Sequence, residues 1–121
     1  MFSVPDYLLE RIFVKDSLKN NEGGFEFALR NVVDSGTLTR VMALDVDGQA
    51  VALDKVTFVL GEKARSAVDI TPNATQYFPA GATATVKVAG MQLSPGEHAL
   101  SLRVNTWEAG AVTIPIKGTV A

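Results

Sequence analysis

The sequence predicts an all-β fold, an antiparallel β-sandwich of about seven to nine short strands. Three observations carry this: apolar and polar side chains alternate with a period of two, turn residues fall between the alternating runs, and only the N-terminus offers a helical option. There, Ser3 or Asp6 can cap a short helical turn through Tyr7–Arg11, with Pro5 tolerated in the first turn, whereas Tyr7, Leu9 and Arg11 also fit an extended lead-in. Both readings stand.

The strands follow in order. Over Gly24–Asn31, Phe25, Phe27 and Leu29 point one way and Glu26, Ala28 and Arg30 the other, as a half-buried strand requires. Leu38, Met42, Leu44 and Val46 share the next core face, which leaves Val41 and Ala43 on an unusually apolar outer face. Asp47-Gly48 signals a two-residue hairpin, because glycine tolerates the positive φ of a type I′ turn, and predicts that Leu44–Val46 pairs with Ala50–Ala52. Val56, Phe58 and Leu60 alternate with Thr57 and Val59, and Ala84, Val86 and Val88 alternate with Thr83, Thr85 and Lys87. Pro95-Gly96 has the form of a type II turn, so a strand opens near Glu97 and runs through Leu100, Leu102 and Val104. Val112, Ile114 and Ile116 form the last run. Pro115 lies within it and, having no N–H for a ladder, assigns it to an edge or a bulge.

Size and charge bound the remainder. A chain of 121 residues buries about two-thirds of its unfolded surface, enough for one core, so residues 1–121 are expected to form one domain. With 11 Lys+Arg against 13 Asp+Glu and no basic run, there is no electrostatic footprint for nucleic acid or an anionic membrane. The absence of cysteine excludes disulfides and thiolate chemistry. Asp6, Glu10, Arg11 and Lys15 interrupt any apolar leader, and no stretch approaches the roughly 20 apolar residues of a membrane span, so a cytoplasmic location is expected. Asn73-Ala74-Thr75 is a glycosylation sequon with meaning only in a secreted chain.

Catalytic and metal constellations are sparse. His98 is the single histidine and shares the parity of Leu100 and Leu102, which reads as a hydrogen-bonded residue at the sheet margin; a catalytic base there needs an orienting partner that the sequence does not identify. Gly23-Gly24 precedes a strand, and Gly61-Glu62-Lys63 lacks the glycine and Ser/Thr of a phosphate loop. Asp45 and Asp47 are spaced to share one side of a strand end, but Gly48 makes the turn the simpler explanation. No catalytic, cofactor-binding or metal-binding residue is assigned to this chain.

Four residues suit contact with a partner. Arg40 falls on the predicted core parity, where a guanidinium needs a paired environment; either the strand turns it to solvent or it meets an acidic group of another chain. Thr71–Ala82 is the longest stretch without periodicity and carries the adjacent aromatics Tyr77 and Phe78, as suits a contact loop or a crossover in which one aromatic plugs the core. Trp107, the single tryptophan, stands just past Val104 and fits an interface anchor or a cap on the core.

Three stretches, Ser17-Leu18-Lys19-Asn20, Gly24–Asn31 and Leu93-Ser94-Pro95-Gly96-Glu97-His98, resemble the small β subunit of bacterial C-glycoside deglycosidases. That resemblance implies a non-catalytic subunit of a lyase-type hetero-oligomer. Its larger, xylose-isomerase-like barrel α subunit would carry a divalent metal, usually manganese, and cleave the sugar–aglycone C–C bond of 3-keto C-glycosides. It also implies that no cofactor binds this chain. The competing expectations are a free-standing immunoglobulin-like module binding carbohydrate or protein through Tyr77, Phe78 and Trp107, and a structural homo-oligomer.

Overall fold

A computed structural model describes residues 4–121. It opens with helix α1 (Asp6–Ile12), whose first turn is closed by Leu8 N and Leu9 N donating to the Pro5 carbonyl. Pro5 sits at the N-cap in extended conformation and, among the described residues, no side chain caps the helix; Asp6 instead lies in its first turn, where a negative charge opposes the exposed N–H groups favourably. Ser3, the other capping candidate, lies outside the described residues. The helical reading of the N-terminus is therefore the correct one, with Leu9 and Ile12 spaced to bury one side.

Ten strands follow: β1 (Lys19–Asn20), β2 (Gly24–Arg30), β3 (Gly36–Val46), β4 (Gln49–Ala50), β5 (Val56–Leu60), β6 (Lys63–Ser66), β7 (Gln76–Phe78), β8 (Thr83–Ala89), β9 (Gly96–Thr106) and β10 (Gly110–Val120). They form two antiparallel sheets, the first ordered β1-β2-β8-β5-β6 and the second β10-β9-β3-β4, with β7 pairing the start of β3. The alternation explains the layering. Phe25, Phe27, Val56, Val86 and Val88 from the first sheet and Leu44, Leu102 and Ile116 from the second are almost fully enclosed and belong to one continuous core. Burial of each such side chain contributes roughly 1.5–3 kcal/mol.

Turn chemistry behaves as the residues dictate. Asp47 and Gly48 take φ of 50° and 85°, the primed geometry, and Asp45 and Val46 pair with Ala50 and Gln49, so the return strand begins one residue earlier than the expected Ala50–Ala52 and is shorter, with Val51 N then donating to the Leu44 carbonyl. Pro115 lies on β10, the terminal strand of its sheet, and so its missing N–H interrupts no central ladder. Gly24 is required for a different reason: a Cβ there would fall onto the Val88 carbonyl, 2.9 Å from its carbon, because β2 and β8 approach closely at that point.

The second sheet departs from simple alternation in β3. Its pairing with β9 slips between Leu38 and Arg40 and again between Val41 and Ala43. Each slip sets two residues opposite one and shifts the inward parity. Leu38 and Val41 face inward as a result, together with Leu44 and Val46, whereas Met42, expected in the core, is 40% exposed and Val41, expected outside, is buried. Arg40, awkward under a strict period of two, is turned to solvent within the strand. The aperiodic Thr71–Ala82 contains β7, which sets Phe78 beside Leu38, Val104 and Ile114 on the inner side and Tyr77 on the outside.

Candidate partner-binding face

The outer face of the second sheet collects the residues with contact chemistry. Across β7, β3 and the turn after β9, Tyr77 pairs with Thr37, and Trp107 N donates to the Thr37 carbonyl. Tyr77 and Trp107 therefore stand on either side of Thr37 in one row, on backbones two inter-strand spacings or roughly 10 Å apart. Both aromatic side chains are open, Tyr77 54% exposed and Trp107 67%. Arg40 pairs with Asn105 and Ala43 with Arg103, so the two bulges present Arg40, Met42 and Arg103 to the same side. Among the described residues neither arginine forms an ion pair.

Of the four candidate contact residues, the structure thus brings Arg40, Tyr77 and Trp107 onto one surface and separates Phe78 from them. Phe78 lines a half-open apolar pocket of about 320 Å³ between α1, the loop after β2 and the inner side of the second sheet, with Leu9, Ile12, Leu38, Val104 and Ile114 around it. Asn31, at the rim, holds this end together: its amide donates to the carbonyls of Asp34 at 2.7 Å and Phe78 at 2.8 Å, and its Oδ1 accepts from Val33 N at 3.1 Å. Glu108 fixes the floor between the two exposed aromatics. Its carboxylate accepts from Thr37 N at 2.8 Å and from Thr37 Oγ1 at 3.0 Å. Partial desolvation raises the Glu108 pKa, but the bonds from Thr37 and from its own backbone outweigh it, and the group ends below the ordinary carboxylate value.

Met42 and Arg103 share this face with Arg40. The outward parity of Arg103 is legible from Leu102 and Val104, but that of Met42 depends on a bulge that no turn residue announces.

His98 occupies the sheet margin, as its parity suggested, and the structure supplies the orienting partner the sequence left unidentified. Its Nδ1 lies 2.7 Å from Asp47 Oδ2 and its Nε2 2.7 Å from the Ser94 carbonyl, while Asp47 Oδ1 also accepts from Ala99 N. Both partners of the ring are acceptors, so the two bonds are satisfied together only when both ring nitrogens carry protons, which favours the cationic form. The bond to Asp47, then that to Ser94, raises the His98 pKa against the opposing cost of burial; the same bond to His98, then that from Ala99, lowers Asp47. With both nitrogens occupied, this histidine ties the Asp47-Gly48 hairpin to the turn before β9. Asp45, weighed with Asp47 as a carboxylate pair, stays on the strand opposite Ser101. Among the described residues no group of three or more His, Cys, Asp or Glu is placed to hold a metal ion, and no helix is long and apolar enough to cross a membrane.

The family of the hydroxymethylglutaryl-CoA reductase N-terminal domain matches residues 8–121. No curated protein matches the chain. The family match overturns the resemblance to the deglycosidase β subunit, and the fold shows why that resemblance misleads. Asn20 and Leu93 bond to each other, Gly24–Arg30 is an inner strand, and Ser94 and His98 close a turn. The three stretches thus serve as structural joints of this sandwich. The barrel partner and its manganese rested on that resemblance alone, and nothing in the match bears on them. From helix α1 to the last strand, the chain belongs to the hydroxymethylglutaryl-CoA reductase N-terminal domain family.

Proposed function

We propose that this chain serves a hydroxymethylglutaryl-CoA reductase, as part of that enzyme or associated with it, and packs against it through the outer face of the second sheet. The observation that carries the reading is the family match over residues 8–121. The composition of the face supports it: tryptophan, tyrosine, methionine and arginine are the side chains that protein interfaces concentrate, and here Trp107, Tyr77, Met42, Arg40 and Arg103 share one side of one sheet. A rigid sandwich holds such residues in fixed relative positions, which lowers the ordering cost of association.

Co-expression with a hydroxymethylglutaryl-CoA reductase catalytic region tests this. The expected result is one complex on size exclusion, with reductase activity in the same fractions and dissociation when Trp107→Ala and Tyr77→Ala are combined. Recovery of the two components in separate peaks overturns the reading.

A further inference from the structure

Asp47-Gly48 is the single Asp-Gly pair of the sequence, and the hairpin puts both residues at the surface. We infer that Asp47 is a site of aspartate isomerisation and that His98 is the positioning residue that holds the reaction in check. The chemistry is intramolecular and needs only water. Gly48 N, losing its proton, bonds to Asp47 Cγ while one carboxyl oxygen departs as water, which closes an imide ring from Gly48 N and Asp47 Cγ, Cβ, Cα and C. Water then adds to either imide carbonyl. Opening at Cγ restores aspartate; opening at the backbone carbon leaves the chain running through Cβ, an isomer of unchanged mass with one more backbone atom. In a two-residue turn that extra atom releases the register of Asp45 and Val46 with Ala50 and Gln49.

The turn leaves the attacking nitrogen open, because Gly48 has no side chain and a Cβ there would meet nothing within 4 Å. What opposes reaction is the engagement of the carboxylate with β9: Oδ2 lies 2.7 Å from His98 Nδ1, and Oδ1 accepts from Ala99 N at 2.9 Å. Ring closure requires Cγ to fold back onto the Asp47–Gly48 peptide and align with its nitrogen, which the side chain cannot do while it reaches across to β9. The bond from His98, then that from Ala99, also lowers the Asp47 pKa, so the carboxyl stays ionised, and an ionised carboxyl sheds oxygen as water only after regaining a proton. The Ala99 anchor belongs to the backbone; the imidazole is the anchor that a side-chain substitution removes. None of this depends on the reductase reading.

The full chain is incubated at neutral pH and physiological temperature, and isoaspartate is located by peptide mapping and counted by enzymatic methylation. His98→Leu, with an unchanged far-ultraviolet spectrum, is expected to accumulate isoaspartate at residue 47 at least about tenfold faster than the parent. His98→Asn, whose amide can stand where Nδ1 stood and donate to Asp47, is expected to recover part of the protection, which a packing role alone would not do. Asp16-Ser17 and Asp34-Ser35, aspartates followed by a small residue but not bonded to His98, serve as references whose rates stay unchanged. No rise in His98→Leu, an asparagine variant as fast as the leucine one, or equal acceleration at residue 47 in Gly24→Ala, which loosens the fold without touching His98, overturns the inference. In urea, where the clasp is open, the parent should isomerise at residue 47 at least about tenfold faster than when folded. An equal rate there overturns the inference whether or not His98→Leu folds.

Discussion

Replacing Asn31 probes how the open end of the sandwich is held. Asn31 is 8% exposed and its side chain makes three hydrogen bonds to backbone groups of the loop after β2 and of β7, while its own backbone N and carbonyl bond Ala82 and Gly81 and are kept in the variants below. Asn31→Ala removes the three side-chain bonds, each worth about 1 kcal/mol net, and so costs about 3 kcal/mol. For a domain of this length, with an unfolding entropy near 2.1 cal/mol/K per residue, that lowers Tm by about 12 °C. Asn31→Asp preserves shape but puts an acceptor where the amide donated, against carbonyl oxygens 2.7 and 2.8 Å from it. It is therefore expected to cost at least as much as alanine near neutral pH and to recover partly on acidification, when the introduced carboxyl can donate one bond. Thermal and urea unfolding followed by circular dichroism, at matched protein concentration, measure both. A loss below about 1 kcal/mol for alanine, or an aspartate variant as stable as the parent, would refute the assignment of these bonds as the clasp of this end.

Three further outcomes follow from the geometry. Gly24→Ala drives a methyl group into the Val88 backbone and should separate β2 from β8, destabilising by about 3 kcal/mol or more, whereas Gly23→Ala, with nothing within 4 Å, should be nearly neutral; urea midpoints compare them. The His98 cation has a pKa raised above its ordinary 6.5, so its contribution is complete below that value and is lost as pH rises through the folded value. The urea midpoint should thus fall as pH rises above the ordinary histidine value and through the raised folded one, a fall that His98→Gln removes; an identical fall in the variant contradicts the bridging role. Arg65 donates to the carbonyls of Asp69, Ala74 and Thr75 and to Gln76 Oε1, so Arg65→Ala should speed amide exchange and proteolysis across residues 69–76 while leaving the Phe25–Phe27 core protected.

Much of the fold was legible because strand periodicity and turn stereochemistry are local. The parity of Phe25, Phe27 and Leu29, the Asp47-Gly48 hairpin and the edge position of Pro115 each follow from a few neighbouring residues, and the structure agrees at all three. The face around Met42 was misassigned because a bulge is a relation between two strands, and β9 lies some sixty residues away in sequence. The same holds for His98: its partner Asp47 is 51 residues distant, and nothing near either residue announces the pairing. Arg40, Tyr77, Phe78 and Trp107 stand out by residue type and position, yet only the pairing of β7 with β3 reveals that Tyr77 and Trp107 flank one threonine.

The proline in the last strand has a consequence for how this domain behaves when crowded. β10 is a terminal strand of eleven residues, long enough to template the stacking of further chains. Pro115 divides it into Gly110–Ile114 and Ile116–Val120, five residues each, shorter than the six or seven that a steric zipper requires. The exposed tryptophan, tyrosine and methionine of this sheet thus adjoin an edge that offers no uninterrupted template for fibrils.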